Sequence, residues 1–182
     1  RTSGLLSRSN KVMYDLVTGS MFDTFLGVAV SGPLAEAGVE LESVSVVTST
    51  WREWKAAHPD TTIVAQDGGI GRVYDLDPLG GRDDRGPIFP VGDVDQRLDT
   101  QTKVLGVIAP DGTPVAFPVD ESRAAIDIGA DVALLGVIVV PDGSGIRAEL
   151  VAGGDVVGHE AFWFAWSQFH PDTVVWAAPD ER

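Results

Sequence analysis

The sequence contains no cysteine and no apolar run long enough to cross a membrane. Without cysteine, the 182 residues can form no disulfide, thiolate metal site or iron–sulfur cluster, and they carry no thiol nucleophile. The longest apolar stretch, 132–140, is far shorter than the roughly 18 residues that a membrane-spanning helix needs. We therefore predict that this stretch is one buried strand and that the chain has no membrane span.

Positive charge is also scarce. The chain has 13 lysine and arginine residues against 27 aspartate and glutamate residues, which gives a net charge of −14 and an isoelectric point near 4.3. Because a phosphate backbone repels so acidic a chain, the composition argues against nucleic-acid binding. The acidity has two explanations that the sequence leaves open, which are adaptation to high salt and ordinary solubility.

Several motifs that identify reactions are absent. The glycines within 68–71 lack the spacing of a phosphate-binding loop, and no Gly-x-Ser-x-Gly turn is present. His159-Glu160 begins like a zinc-binding helix, but no second histidine follows at the required spacing. The sequence therefore names no reaction and favours a chain that is not an enzyme by itself.

One block of sequence occurs twice. The segments 51–61 and 163–173 share Trp, Trp, His, Pro, Asp and Thr without a gap, at the separation of 112 residues between His58 and His170. Four of the five tryptophans fall in these two blocks. Self-similarity at a fixed offset indicates two copies of one structural element.

Each block predicts a short helix, a turn and a strand. In the first block, Thr50 and Glu53 have capping-box spacing, so a helix should begin directly after Thr50. Pro59 disfavours a helical conformation at His58 and should end the helix there. Residues 62–64 are then typical of a strand. The phenylalanines of the second block predict that its helix is the more deeply buried of the two.

The rest of the chain indicates β structure. Hairpins are predicted around the turn signals at 17–19, 111–112 and 142–145. Alternating apolar and polar residues predict a half-buried strand over 39–46. With 21 glycines and 11 prolines, the elements should be short and the turns frequent.

We therefore predict an α+β fold, mainly antiparallel β with short aromatic helices, made of two related repeat units. The first unit spans 1–65 and should be incomplete at its N-terminus; the second spans 102–182. Between them, 66–101 is an acidic connection rich in glycine and proline. Four apolar residues are expected to anchor that connection to the fold: Tyr74, Ile88, Phe89 and Val91.

Further motifs occur in a specific order along the chain. They are Ser3-Gly4-Leu5-Leu6, Val12-Met13-Tyr14-Asp15, Thr18-Gly19-Ser20, Ser31-Gly32-Pro33-Leu34, Gly86-Pro87-Ile88-Phe89-Pro90, Arg97-Leu98 with Val104-Leu105-Gly106-Val107, and the two tryptophan blocks. In these motifs the chain resembles the bacterial and archaeal domain-of-unknown-function family three-one-seven-nine. One departure is Met21-Phe22-Asp23-Thr24, where members of that family tend to have Leu-Trp-Ser-Gln.

The resemblance implies no activity, but it does imply a setting. Members of the family look like exported or lipid-anchored proteins, so we expect an extracytoplasmic or cell-surface location. They usually carry an upstream segment with a Cys-Pro-x-Cys motif, which this sequence lacks. We therefore expect the partner of this chain to be that N-terminal segment or another protein chain.

The two His-Pro-Asp-Thr sequences supply the first candidate site. His58 and His170 are candidate ligands or acid–base residues, with Asp60 and Asp172 to orient them. In the structural alternative, each histidine ends a helix and each aspartate caps a turn. Repetition favours the structural alternative, because a repeated motif usually preserves a shared fold.

Tryptophan and aspartate supply two weaker candidates. Trp51 and Trp54 would form an aromatic binding platform if exposed, although aromatic residues at helical spacing are more often core. No cofactor is evident, but carboxylates in the connection offer an irregular oxygen-ligand site for Ca²⁺, since the spacing fails the EF-hand pattern. The carboxylates of that candidate metal site are Asp75, Asp77, Asp83 and Asp84.

Three functions follow from these observations. The leading prediction is a non-catalytic, extracytoplasmic binding or interaction module. The first alternative is an enzyme or metal-handling protein whose site lies between the two repeats and is completed by upstream cysteines. The second alternative is a structural subunit of a cell-surface assembly.

Overall fold

The computed structural model of the chain describes residues 1–64, 71, 73, 75, 86, 87 and 89–178. Within them lie three β-sheets and four short helices. The strands are β1 (Thr2–Ser7), β2 (Asn10–Tyr14), β3 (Met21–Asp23), β4 (Val28–Ser31), β5 (Lys103–Ile108), β6 (Pro114–Pro118), β7 (Val132–Leu134), β8 (Val137–Asp142), β9 (Gly145–Leu150), β10 (Gly158–Phe162) and β11 (Val174–Val175). The helices are α1 (Pro33–Glu36), α2 (Trp51–Ala57), α3 (Val119–Asp127) and α4 (Trp163–Phe169).

Nearly all strand pairs are antiparallel. The N-terminal sheet has the order β1-β2-β3-β4, the central sheet the order β10-β5-β6-β11, and the third sheet the order β7-β8-β9. Only β11 and β6 pair in parallel among the described strands. The predicted mainly antiparallel β fold with short helices is confirmed, and each of the three predicted hairpins is present, as β2–β3, β5–β6 and β8–β9.

The main core lies between the central sheet, the third sheet and α3. It consists of aliphatic side chains from facing strands together with two aromatic residues, Phe117 and Trp176. Its aliphatic members include Leu105, Val107, Val137 and Ile146. Removal of these apolar side chains from water stabilises the fold. Among the described residues, the N-terminal sheet contributes no buried residue to this core. Its own buried apolar residues are Val12 and Phe22.

A second core covers the opposite face of the central sheet. There α4 packs its buried Trp163 and Trp166 against Val104 and Ala116. The helix lies so close that a Cβ at Gly106 would stand 2.2 Å from ring carbons of Trp166. Glycine is therefore required at this position of β5 for α4 to reach the sheet.

A turn of the N-terminal sheet reaches this second core. After β3, the buried carboxylate of Asp23 accepts hydrogen bonds from the backbone N–H groups of Phe25, at 2.9 Å, and Leu26, at 3.2 Å. The turn directs Phe25 onto α4, where its ring stacks on that of Phe169 with centroids 4.2 Å apart. Phe25 thus links the N-terminal sheet to the rest of the molecule.

Three strand predictions are wrong. The stretch 132–140 is a hairpin rather than one strand, because the chain turns between β7 and β8 at Leu135 and Gly136, both with positive φ. Residues 62–64 and 39–46 form no strand, apart from an isolated bridge between Val28 and Glu40. Their residues favour strands, but their backbone groups form no ladder of hydrogen bonds with any described strand.

Half of the predicted connection, 66–101, falls outside the described residues, and so do its anchors Tyr74 and Ile88. Of the other two anchors, Phe89 is exposed, whereas the backbone carbonyl of Val91 accepts a hydrogen bond from Ser9. The division of the chain into two related units stays a prediction. In the described part of the chain, no helix has the length and apolar character that crossing a membrane requires.

Candidate functional site

The two repeated blocks fold into the same local arrangement. His58 is the C-cap residue of α2 and His170 is the C-cap residue of α4, and the two histidines have nearly equal backbone angles. Thr50 caps the start of α2 as predicted, because its Oγ1 accepts from the backbone N–H of Glu53. The reciprocal half of a capping box is absent, since the N–H of Thr50 donates to Ser144 instead. As predicted, α4 is the more buried helix: it has five buried residues, whereas α2 has none.

A hydrogen bond within each block explains its final threonine. The indole N–H of Trp54 donates to Thr61 Oγ1 at 3.0 Å, and that of Trp166 donates to Thr173 Oγ1 at 2.7 Å. In each case the histidine ring lies on the same tryptophan, with centroids 4.0 Å apart in the first block and 4.2 Å in the second. We call these arrangements the first and second Trp–His–Thr clusters.

In each cluster, a basic side chain donates hydrogen bonds to carbonyl oxygens of the turn. In the first cluster, Lys55 Nζ donates to the carbonyl oxygens of Pro59 and Thr61 and lies 6.0 Å from the ring centroid of Trp51. The lysine comes from α2 itself. It therefore binds carbonyl oxygens of the turn that follows its own helix.

In the second cluster the same role falls to Arg97, from outside the block. Its guanidinium donates to the carbonyl oxygens of Thr173, at 2.5 Å, and Pro171, at 3.2 Å, and it lies 5.2 Å from the ring centroid of Trp163. Hydrogen bonds from Arg97 also hold the pKa of Asp95 below its usual value. Each cluster is therefore held by a basic side chain that donates to the carbonyl groups of its turn.

The first cluster has an ionic partner that the sequence did not indicate. His58 Nε2 lies 2.5 Å from Oδ1 of Asp142, a largely buried carboxylate at the end of β8. Arg147 Nε approaches the other oxygen of Asp142 at 3.7 Å and also pairs with Glu149 at 2.5 Å. The group that orients His58 is therefore Asp142, whereas Asp60 is exposed.

The second cluster has an aromatic surrounding instead. The ring of His170 lies 6.2 Å from that of Phe25, and the ring of His159, on β10, lies 4.3 Å from Phe25. Burial lowers the pKa of His159; burial, followed by the charges of His159 and Arg8, lowers that of His170. Both imidazoles are therefore neutral at pH 7. Asp172 is exposed.

The structure does not bring the two candidate histidines together. The described contacts of His58 are with Trp54 and Asp142, and those of His170 are with residues of α4, β10 and the turn after β3. Sequence reasoning assigned no functional role to His159 or to Asp142. In the sequence, His159 is only the start of a zinc-binding pattern that fails, and nothing there indicates that the ring of Phe25 packs on it.

The tryptophan and aspartate candidates lie apart from each other. Trp51 is 50% exposed and Trp54 is half-buried, whereas their counterparts Trp163 and Trp166 are buried. Asp75 is exposed, and the other three aspartates of the candidate Ca²⁺ site lie outside the described residues. Among the residues that are described, no three histidine or acidic side chains converge as a metal site would require.

Two clefts flank one segment that we call the strap, residues 41–48. The first, the β10 cleft, has a volume of about 470 Å³ and lies between the strap, the turn that carries Phe25, and residues 157–160, which include His159 and Glu160. The second, the hairpin cleft, has a volume of about 540 Å³ and lies between the strap and the β8–β9 hairpin. Trp54, Asp142 and Arg147 line it.

The strap is fixed at three points. At its start, the N–H of Leu41 donates to the carbonyl of Gly27 at 2.7 Å. In its middle, Ser45 Oγ accepts from the N–H of Gly158 at 3.0 Å. Just beyond its end, Ser144 Oγ accepts from the N–H of Thr50 at 2.8 Å. The two clefts are therefore preformed rather than created by chance contacts of a loose loop.

Comparison with known families identifies the chain. The family model described as protein of unknown function (DUF3179) matches residues 1–152. The chain belongs to the DUF3179 family. The DUF3179 match contains the strap, the first Trp–His–Thr cluster and Asp142, and it ends before His159 and the second cluster. Searches of curated proteins and of solved structures gave no significant match.

The two Trp–Thr hydrogen bonds should differ in strength. Thr173→Val leaves a buried indole N–H without its acceptor and should lower the free energy of unfolding by about 1–3 kcal/mol. Thr61→Val should cost less than about 1 kcal/mol, because water can reach the half-buried Trp54. Urea unfolding followed by tryptophan fluorescence measures both losses. Equal losses would show that burial does not set the strength of this bond.

The two buried histidines should make stability depend on pH. Since their pKa values are lower in the folded than in the unfolded chain, the unfolded chain binds more protons below about pH 6.5. Their contribution to stability is complete above that pH and is lost as the pH falls further. Urea unfolding from about pH 8 to about pH 5.5 should therefore show a smaller decrease for His159→Phe than for the unsubstituted chain. Parallel decreases would contradict the assignment.

Proposed function

We propose that the chain is a non-catalytic binding or interaction module and that its ligand lies in the β10 cleft. The observation that carries the proposal is the cleft itself. Its volume of about 470 Å³ falls in the range of roughly 300–1,000 Å³ that ligand pockets occupy. Its walls come from three separate segments held together by backbone and side-chain hydrogen bonds.

The chemistry of the walls suits binding. Phe25, Leu41 and Val44 supply apolar surface, and Glu42 and Glu160 supply negative charge. His159 presents an imidazole that is neutral at pH 7, and among the described residues its ring nitrogens make no hydrogen bond. A neutral imidazole can donate to a ligand with one nitrogen and accept with the other.

The alternatives have less support. An acid–base site between the repeated blocks would need His58 and His170 to face one cavity, and they lie in separate surroundings. Within the described residues, His159 has no hydroxyl at hydrogen-bond distance that it could activate as a nucleophile. A structural subunit of an assembly would need contacts between chains, and no observation of the single chain favours it.

A ligand screen tests the proposal. Fragments and short peptides are titrated into ¹⁵N-labelled protein, and the amide shifts that move should belong to His159, Glu160 and the residues around Phe25. Ser43→Phe should fill the cleft and weaken this binding at least tenfold. Ser31→Phe, the same change on an exposed residue of β4 outside the cleft, should leave binding unchanged. Ligands that map elsewhere, or that bind both variants equally, would reject the β10 cleft as the binding site.

We also propose that the module works outside the cytoplasm. The support is the family to which the chain belongs, whose members look exported or lipid-anchored. A phosphatase reporter that is active only outside the cytoplasm, fused to the end of the parent protein in its own host, should show activity. An inactive but intact fusion would place the module inside the cell.

A further inference from the structure

The strap has a strand-like course but lacks the pairing of a strand. Residues 41–50 run without helix, turn or bend. Over residues 45–48 its side chains alternate between the two clefts: Val46 and Thr48 line the β10 cleft, whereas Ser45 and Val47 line the hairpin cleft. Before them, residues 41–44 all line the β10 cleft, and Glu42 and Val44 also line the hairpin cleft. This alternation is that of an extended β-strand.

Between its two ends, the backbone of the strap is unpaired within the described residues. Hydrogen bonds hold the N–H groups of Leu41 and Thr50 at its two ends. Between them, the N–H and C=O groups of residues 42–49 make no hydrogen bond to the described part of the chain. A row of unpaired backbone groups in an extended segment is a template on which another extended chain can pair.

The composition of the strap favours such pairing. Val44, Val46, Val47 and Thr48 are β-branched and are therefore suited to a strand. Two of them are largely exposed, Val44 at 71% and Val46 at 65%. These are residues that normally stabilise a sheet, but here they face water until a partner covers them.

The charge around the strap selects the partner. Both clefts are lined by Glu42, and the β10 cleft adds Glu160. The hairpin cleft adds Asp142 and Asp155 against the single positive charge of Arg147. A strand paired with the strap would send alternate side chains towards these two acidic clefts, so basic side chains are favoured on it.

We propose that the strap is a docking strand for an extended, basic segment of a partner protein, which adds to it by backbone pairing. The inference rests on the proposed binding function and names the class of its partner. Backbone hydrogen bonds would supply affinity, and the two clefts would read alternate side chains. A second copy of the chain is disfavoured as the occupant, because each copy carries a net charge of −14 and its own strap contains Glu42.

The test uses a blocked octapeptide of alternating valine and lysine. We expect it to bind the chain, and we expect the bound peptide to slow hydrogen exchange at every second amide of residues 42–48. The matched peptide of valine and glutamate should bind at least tenfold more weakly. Glu42→Gln should weaken binding of the lysine peptide several-fold, whereas Glu36→Gln, a change outside both clefts, should not alter it.

Three results would overturn the inference. They are slowed exchange without alternation, equal binding of the two peptides, and a self-associated dimer that protects the strap in sedimentation and exchange measurements. If screened ligands shift the amides of the β10 cleft but the lysine peptide does not bind, the proposed binding function stands and the docking strand is rejected.

Discussion

The hydrogen bond from a tryptophan indole to a threonine hydroxyl, beneath a histidine ring, fixes the parts of the molecule that define the clefts. In the second cluster this bond closes the turn after α4, and α4 follows β10 without an intervening loop. In the first cluster it closes the turn after α2, and the strap leads directly into α2. Two of the three walls of the β10 cleft, the strap and β10, are therefore each connected to one cluster.

The environments of the three histidines show how one residue type takes different roles. His58 is bonded to a carboxylate that also meets an arginine, so it belongs to an ionic group on the β8–β9 hairpin. His159 and His170 share the aromatic ring of Phe25 and have lowered pKa values because they are partly buried. Of these, His159 lines the β10 cleft. Because Glu42 and Glu160 also line this cleft, His159 is an uncharged side chain on a negatively charged surface.

Features set by neighbours in sequence were predictable. The hairpins follow from their turn residues, and α2 begins and ends where Thr50 and Pro59 require. The deeper burial of α4 follows from its phenylalanines. The two tryptophan blocks were recognised from residue identity alone, although the indole–threonine bond that explains their last residue was not.

Features set by distant residues were not predictable. His58 and Asp142 are 84 residues apart, and no spacing rule connects them. The strap has the composition of a strand, but a strand also needs backbone pairing with a neighbour, and in the described chain no strand pairs with it. The turn at Leu135 was missed because leucine seldom adopts positive φ, whereas the glycine beside it is an ordinary turn residue. The segment 39–46, which was wrongly predicted to be a strand, thus supplies most of the strap.

Between Leu41 and Thr50, the extended strap has backbone groups that are unpaired within the described residues. Hydrogen–deuterium exchange of the isolated chain, resolved by residue, tests this directly. The amides of residues 42–48 should exchange at nearly the rate of an unfolded peptide, while those of β5, in the middle of the central sheet, remain protected. Strong protection of the strap amides in the free chain would show that their hydrogen-bonding groups are already paired, and it would contradict the account.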